Sequence, residues 1–600
     1  MLLRRSHMRR CLKPGVPRHP PLSCASASPL QHTDVTSAPM KTQIAVVGSG
    51  PSGCYVAQQL IKKRDDIHVD VFERLPVPFG LCRYGVAPDH PEVKNVEQQF
   101  LSMFKSGRVT WIGNVDVGRQ LPIDTLLNNY AAVVLATGVD SGKKLNIPGE
   151  DLGGVVRAAD FVRYYNTYPF PHGSPRFCPF QLGMAHEAVV IGNGNVALDC
   201  TRVLAASYKY FCPTDMNCAA IKEFMKNHIH RIHVVGRRGP EHSAFTIAEF
   251  RELTKYQQDT VRVTVDAFNP EEARRASTEN PRARQRLFEL MGRHIVKSDD
   301  PESQEVRGPT IPKGTRGPCH IRFRYNMRPL RFLPHRERKG QVGAVVFECT
   351  AAETSSSTDC AAATETQAYD ANCGEGGNKG GGTGVKAPKV ITVPCDLVIT
   401  SLGYYGDSIP GVEFDHARGV ISHVGGRVKG QPRLYCAGWA KNGPKGIIAH
   451  ALMDAQVTAA TVLEDLDNSA LPTGGSDGAF CGKYGLVDYF VEKRMEPVSV
   501  AGLERIMHVE LERGVDMGKR LEKIDDVRAM LDVALGGAVG KKANNAIRGI
   551  MNERPDALLY LNELLDDTTD LAPLARQLAR DLPPVMAEQH PPGRLHPSQL

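Results

Sequence analysis

The stretch Ile44-Ala45-Val46-Val47-Gly48-Ser49-Gly50-Pro51-Ser52-Gly53 decides the fold. A short β-branched run reads as a strand, and three glycines spaced G-x-G-x-x-G turn it into a helix. Apolar residues at Val56, Ala57, Leu60 and Ile61 lie on one helical face. Val69, Val71 and Phe72 then alternate with polar residues as a second strand, which ends at Glu73. In such a unit the first glycine makes the turn, the second admits a pyrophosphate and the third packs helix on strand. The helix N-terminus offers unpaired N–H groups to the phosphates. An acid at the end of the second strand accepts hydrogen bonds from the ribose. Gly48, Gly50, Gly53 and Glu73 meet all of these needs.

A second unit repeats the pattern with one telling change. Ala188-Val189-Val190-Ile191 leads into Gly192-Asn193-Gly194-Asn195-Val196-Ala197, a helix runs through Leu204, and Ile232-His233-Val234-Val235 is the second strand. Arg237 and Arg238 stand where the first unit has its acid. A carboxylate would repel a 2′-phosphate, whereas a guanidinium pair binds it bidentately. The pair therefore predicts NADP over NAD. One acid-coded and one arginine-coded turn suggest FAD in the first site and NADPH in the second, the layout of a flavoprotein that accepts hydride. There the flavin carries the chemistry, and the chain supplies geometry and electrostatics.

Further strands ending in glycine are predicted before Gly138, Gly403 and Gly438. Strands alternating with helical patterns mean parallel sheets with crossover helices. The predicted fold class is α/β, with two Rossmann-like dinucleotide-binding domains. The FAD domain comprises 41–141 and 404–537, and the NADP domain, 142–403, is inserted within it. Residues 353–388 are rich in Thr, Ser, Ala and Gly and read as a disordered insertion. Residues 538–600 form a C-terminal extension, first helix-like and then Pro-rich.

Composition narrows the class further. Over 600 residues, 42% hydrophobic and 23% charged content excludes wholesale disorder. No apolar run approaches the ~18 residues that would span a bilayer. The net charge of +7 raises a nucleic-acid or membrane partner. However, Arg4, Arg5, Arg9, Arg10, Lys13 and Arg18 crowd residues 1–40 against a single acid, Asp34. The remaining chain is nearly neutral, too weakly charged for a general polyanion binder, so no nucleic-acid partner is expected. The Arg-rich, Ser-bearing leader reads as a disordered organellar import peptide, for the mitochondrion ahead of the chloroplast, with a disordered basic tail or a misassigned start as the alternatives. The 15 cysteines contain no C-x-x-C and no zinc-type doublets, so no metal is expected.

More specific segments lie around the two turns. They are Pro76-Val77-Pro78-Phe79-Gly80-Leu81, Tyr84-Gly85-Val86-Ala87-Pro88-Asp89-His90-Pro91, and Val235-Gly236-Arg237-Arg238-Gly239-Pro240. With Ala244-Phe245-Thr246-Ile247, Ala437-Gly438-Trp439 and Gly443-Pro444-Lys445-Gly446-Ile447-Ile448, they closely resemble the mitochondrial adrenodoxin reductase family, NADPH:ferredoxin reductases of the glutathione-reductase-like flavoprotein group. The resemblance covers residues 43–537, interrupted by the insertion.

The resemblance implies electron flow from NADPH to FAD and then, one electron at a time, to a small acidic [2Fe–2S] ferredoxin. It implies FAD contacts at Ser52, Glu73, Leu81 and Val117, with Trp439, Gly446, Ile447 and Ile448 around the flavin. For NADP it implies Asn193, Gly194, Asn195 and Val196 at the pyrophosphate, Arg237 and Arg238 at the 2′-phosphate, and Glu249 and Gly446 near the nicotinamide. Asn193 stands where the family commonly has Gln. His90 and Asp199 are implied to approach each other near the cofactors. Such a His–carboxylate pair could hold or relay charge, making them catalytic candidates, although hydride transfer itself requires neither. The alternative is that His90 caps a turn and Asp199 bonds locally.

Arg282 and Arg286 match the family's partner-binding arginines and share one face if helical; a solvated face is the alternative. The resemblance also implies a monomer in the mitochondrial matrix, or peripherally held on the matrix side of the inner membrane. Other readings remain. A thiol–disulfide reductase needs a redox Cys pair, against which the Cys spacing argues. An electron-input subunit like the small subunit of glutamate synthase needs Cys-ligated clusters. A non-catalytic dinucleotide-binding scaffold needs neither.

Overall fold

Residues Thr42–Val47 form an interior strand of a seven-stranded sheet. In this computed structural model the described residues are 41–169, 178, 180–255, 261–276, 281–295, 318–350, 389–446, 448–468, 471 and 480–536. The predicted leader, insertion and C-terminal extension, together with Ile447, lie outside them. Ile44, Ala45 and Val46 are fully buried, as a strand covered on both faces requires. Thr42–Val47 pairs in parallel with Ile67–Phe72 and with Ala132–Leu135. The register sets Val47 opposite Phe72, so Gly48 and Glu73 leave the sheet side by side. The helix Pro51–Lys63 follows with Pro in its first turn and Lys62 and Lys63 in its last, each suited to its end of the helix dipole. It packs against the long helix Ile448–Asp467.

A second sheet has six parallel strands in the order Val155–Arg157, Leu397–Thr400, Glu187–Ile191, Arg231–Val235, Cys319–Arg324, Val261–Val265. All of them fall in sequence between Ala132–Leu135 and Leu434–Cys436, which are neighbours in the first sheet. The second dinucleotide unit is thus inserted into the first. A three-stranded antiparallel sheet, Met327–Pro334, Val342–Cys349 and Val390–Pro394, was not foreseen.

Buried charges join the parts. Asp215 Oδ2 accepts from Lys94 Nζ at 2.6 Å and lies 2.9 Å from Lys523 Nζ. Lys523 also donates to the carbonyls of Arg83 and Asn166, both at 3.1 Å. Arg83 forks onto Glu510 at 2.7 and 2.5 Å. This network ties the segment that precedes and follows His90 to the second unit and to the helix Val500–Asp516. Losing one partner of such a pair leaves a buried charge alone, at a cost of about 3–5 kcal/mol.

Candidate functional site

The first glycine turn distributes its glycines by task. Gly48 has φ +102°, and a Cβ there would meet the Ala136 carbonyl at 2.4 Å. At Gly53 a Cβ would meet the Gly48 carbonyl at 1.9 Å, so this glycine packs helix on strand. Gly50 is different: a Cβ there would touch nothing within 4 Å. Its absence leaves the backbone open to a ligand. Gly50 also N-caps the helix Pro51–Lys63 without a side-chain cap, leaving the first-turn N–H groups for an anion. The Glu73 carboxylate stands over this turn and accepts from the Ser49 backbone N–H at 3.0 Å and the Ser49 hydroxyl at 2.7 Å. These features fit an adenine dinucleotide.

Leu81 begins a short helix, Leu81–Tyr84, whose Gly80 cap lies against Gly50. Val117 is buried in the cluster on one face of the first sheet. Trp439 opens the turn Trp439–Asn442, half-buried, with Nε1–H donating to the Lys445 carbonyl at 3.1 Å and its ring 5.8 Å from that of Tyr404. Asp454 clamps this turn. It accepts from the Gly438 N–H at 2.6 Å and from Lys441 Nζ and Asn442 Nδ2, both at 2.8 Å. The turn crosses Ser52 closely, because a Cβ on Gly438 would meet Ser52 Oγ at 2.1 Å. Gly446 has φ +85°, and Ile448 begins the helix Ile448–Asp467.

The second turn repeats the division. Gly192, φ +136°, abuts the Ser401 carbonyl, a Cβ on Gly194 would meet nothing within 4 Å, and Ala197 is fully buried as the packing residue. Gly194 likewise N-caps the helix Asn195–Ala205, which Val196 continues, without a side-chain cap. Asn193 Nδ2 donates to Ser243 Oγ at 3.1 Å, and Asn195 Nδ2 to Glu249 Oε1 at 3.0 Å. Glu249 also accepts from the Thr246 hydroxyl, and burial pushes its carboxyl upward. Arg237 and Arg238 follow the strand Arg231–Val235 and are exposed, their guanidinium groups without a hydrogen bond or ion pair among the described residues. Two exposed guanidinium groups beside an open glycine turn fit a 2′-phosphorylated dinucleotide.

His90 and Asp199 come into one charged cluster, but not as a hydrogen-bonded pair. His90 Nε2 lies 2.7 Å from Glu252 Oε1, whereas Asp199 Oδ1 accepts from Arg202 Nη2 at 2.9 Å. Arg202 also donates to Asp89. The hydrogen bond to Glu252 raises the His90 pKa against the opposing effect of burial. Burial alone would raise Glu252, but His90 and Arg202 outweigh it and hold the carboxyl below its usual value. Both shifts favour imidazolium facing carboxylate. Arg202, Glu252 and Asp89 carried no role in the sequence reading. One signal was present: Glu249 and Glu252 are three apart, on one face of the helix Ile247–Lys255.

Arg282 and Arg286 are exposed on the helix Pro281–Gly292. Arg284, between them, turns inward and donates to the Ser243 carbonyl. None of the described cysteines is in a disulfide. Cys54 and Cys82, buried near the first turn, have their thiols pushed up by burial, Cys82 to about 12, which makes them poor nucleophiles.

Residues 42–238 match the pyridine nucleotide-disulphide oxidoreductase family. The mitochondrial NADPH:adrenodoxin oxidoreductase of Salvelinus fontinalis is 37% identical over 510 residues, covering 83% of this chain and 92% of its own. That of Homo sapiens is 36% identical over 492 residues, covering 82% and 91%. Among solved structures, Mycobacterium tuberculosis FprA in complex with NADPH gives a TM-score of 0.67 at 31% identity, covering 83% of this chain and 100% of that one.

Proposed function

This chain belongs to the NADPH:adrenodoxin oxidoreductase family, and on that premise we propose that it is an FAD-dependent NADPH:ferredoxin reductase. The balanced reaction is NADPH plus two oxidised ferredoxins giving NADP⁺, two reduced ferredoxins and one proton. The observation that carries the reading is the pair of open glycine turns with opposite charge codes, Glu73 at one and Arg237 with Arg238 at the other. FAD, when bound, supplies hydride acceptance from the nicotinamide and release of electrons one at a time.

The chain's own residues bind and orient. Gly48, Gly50, Ser52, Gly53 and Glu73 hold the adenosine diphosphate part of FAD, while Leu81, Val117, Trp439, Gly446 and Ile448 surround the flavin. Asn193, Gly194, Asn195 and Val196 receive the NADP pyrophosphate, and Arg237 and Arg238 the 2′-phosphate. Glu249 and Gly446 face the nicotinamide end, and His90 and Asp199 belong to the charged cluster beside it. Arg282 and Arg286 form a basic face that steers the acidic [2Fe–2S] ferredoxin, with an on-rate falling as salt rises. The raised thiols of Cys54 and Cys82 disfavour disulfide chemistry.

The protein is mitochondrial on this reading. A matrix location, peripheral contact with the inner membrane and a monomeric state are finer proposals that rest on the family resemblance. Among the described residues no helix is long and apolar enough to cross a membrane. The test is anaerobic addition of NADPH to the purified protein. Bleaching of the flavin absorbance is expected, and a yellow protein that NADPH leaves unbleached would sink the proposal.

A further inference from the structure

In both turns the residue between the first two glycines is braced, but from different places. At the first turn it is Ser49, whose hydroxyl and backbone N–H both donate to Glu73. At the second it is Asn193. The register sets Ile191 opposite Val235, as it sets Val47 opposite Phe72, so Gly236 falls level with Glu73 and offers no side chain. A Cβ on Gly236 would meet Asn193 Nδ2 at 3.3 Å. The brace comes instead from the segment beyond Arg237 and Arg238. Asn193 Nδ2 donates to Ser243 Oγ at 3.1 Å, and the Asn193 carbonyl accepts from the Ala244 N–H at 2.7 Å. Asn193 Oδ1 is buried with no hydrogen-bond partner among the described residues, so the amide is held through its nitrogen. Ser243 is fully buried, and its hydroxyl also lies 3.2 Å from that of Tyr325. Arg284, buried on the helix Pro281–Gly292, donates to the Ser243 carbonyl.

We propose that Ser243 is a positioning residue for the NADP turn: its hydroxyl fixes the Asn193 side chain as Glu73 fixes Ser49, and Arg284 fixes Ser243 in turn. This deepens the reading given above and rests on its assignment of the second turn to NADP. The move of the brace follows from the arginine code. An acid at the strand end serves the ribose and the turn together, as Glu73 does. With glycine in its place and arginines beyond it, the 2′-phosphate is accommodated but the turn loses its acceptor. A buried hydroxyl restores an acceptor without a negative charge to repel the pyrophosphate. It also donates and accepts at once, so one group serves both Asn193 and Tyr325. A turn held in place before the dinucleotide arrives binds it more tightly, because less ordering is left to the binding step.

The test is calorimetric binding of NADP⁺ to the FAD-loaded protein, with NAD⁺ measured in competition; neither measurement needs electron transfer. S243A should raise both dissociation constants by about three- to tenfold, because both ligands carry the pyrophosphate. Their ratio should stay within about twofold of the parent's, in contrast to R237A/R238A. An unchanged flavin spectrum checks that the variant is folded. In an N193A background S243A should add nothing further, since Ser243 acts through Asn193. R284M should weaken both ligands as S243A does. Unchanged binding in S243A, a shifted ratio, or an equal effect of S243A with and without Asn193 would overturn the proposal. If the parent binds no NADP⁺, this proposal and the assignment of the turn fall together. If it binds NADP⁺ but NADPH leaves its flavin unbleached, the reductase reading fails while these constants still decide the role of Ser243.

Discussion

The Glu73 carboxylate lies 2.7 Å from the Ser49 hydroxyl and 3.0 Å from the Ser49 backbone N–H, so the acid that ends one strand is tied to the glycine turn that ends its neighbour. The parallel register of Val47 with Phe72 makes this contact unavoidable. Replacing Glu73 by Ala removes both the ribose acceptor and the brace on the turn. Hydrogen bonds to a charged group contribute about 1.5–3 kcal/mol, so E73A should weaken FAD binding by about tenfold or more. Titration of FAD into apoprotein, followed by flavin fluorescence, measures this. An unchanged dissociation constant would contradict the assignment.

The exposed guanidinium groups of Arg237 and Arg238 make no hydrogen bond or ion pair among the described residues that would hold them for a structural purpose. R237A/R238A should therefore fold normally while losing discrimination. The ratio of kcat/KM for NADPH to that for NADH should fall by about 10- to 100-fold, because two charge-assisted hydrogen bonds to the 2′-phosphate disappear. The change should come from KM for NADPH, and an unaltered ratio would refute the charge-code argument.

Asp454 joins three donors of the turn that carries Trp439. In D454N the Lys441 ammonium, which also bonds Thr458 Oγ1 at 3.2 Å, keeps its charge and loses its counter-ion. Urea unfolding should show a loss of about 3 kcal/mol. With only two tryptophans in the chain, Trp111 and Trp439, a change in emission of the folded protein would report the disturbed turn.

Acid sensitivity should centre on Asp215. Burial alone would raise its carboxyl, but Lys523 and Lys94 overcome it and hold the group well below the usual carboxylate range. A depressed folded value contributes stability that is complete above the unfolded pKa of about 3.9 and lost as pH falls through the folded value. Denaturation midpoints measured from about pH 6 down to pH 3 should therefore decline more steeply in the parent than in D215N. Parallel declines would show that Asp215 does not govern the acid limb.

Both glycine turns, the acid and arginine codes, the strands flanking each turn and those before Gly138, Gly403 and Gly438 were legible in the sequence. Each is a local pattern in which turn, helix start and strand end stand within a few residues of one another. Even the division of labour among Gly48, Gly50 and Gly53 follows from spacing alone. The charged cluster was not legible in the same way. His90 meets Glu252 across 162 residues, and nothing near either residue reveals that Arg202 has already claimed Asp199. The Lys94–Asp215–Lys523 network is equally long-range. The three arginines at 282, 284 and 286 look alike in sequence, yet helical geometry exposes the outer two and buries the middle one.

The central claim is tested most directly by electron counting. A limiting, known amount of NADPH is added anaerobically to a catalytic amount of the FAD-loaded protein with excess oxidised mitochondrial [2Fe–2S] ferredoxin, and reduced ferredoxin is read from its absorbance. The account predicts two ferredoxins reduced for each NADPH consumed. Flavin bleaching by NADPH with the ferredoxin left oxidised would contradict it.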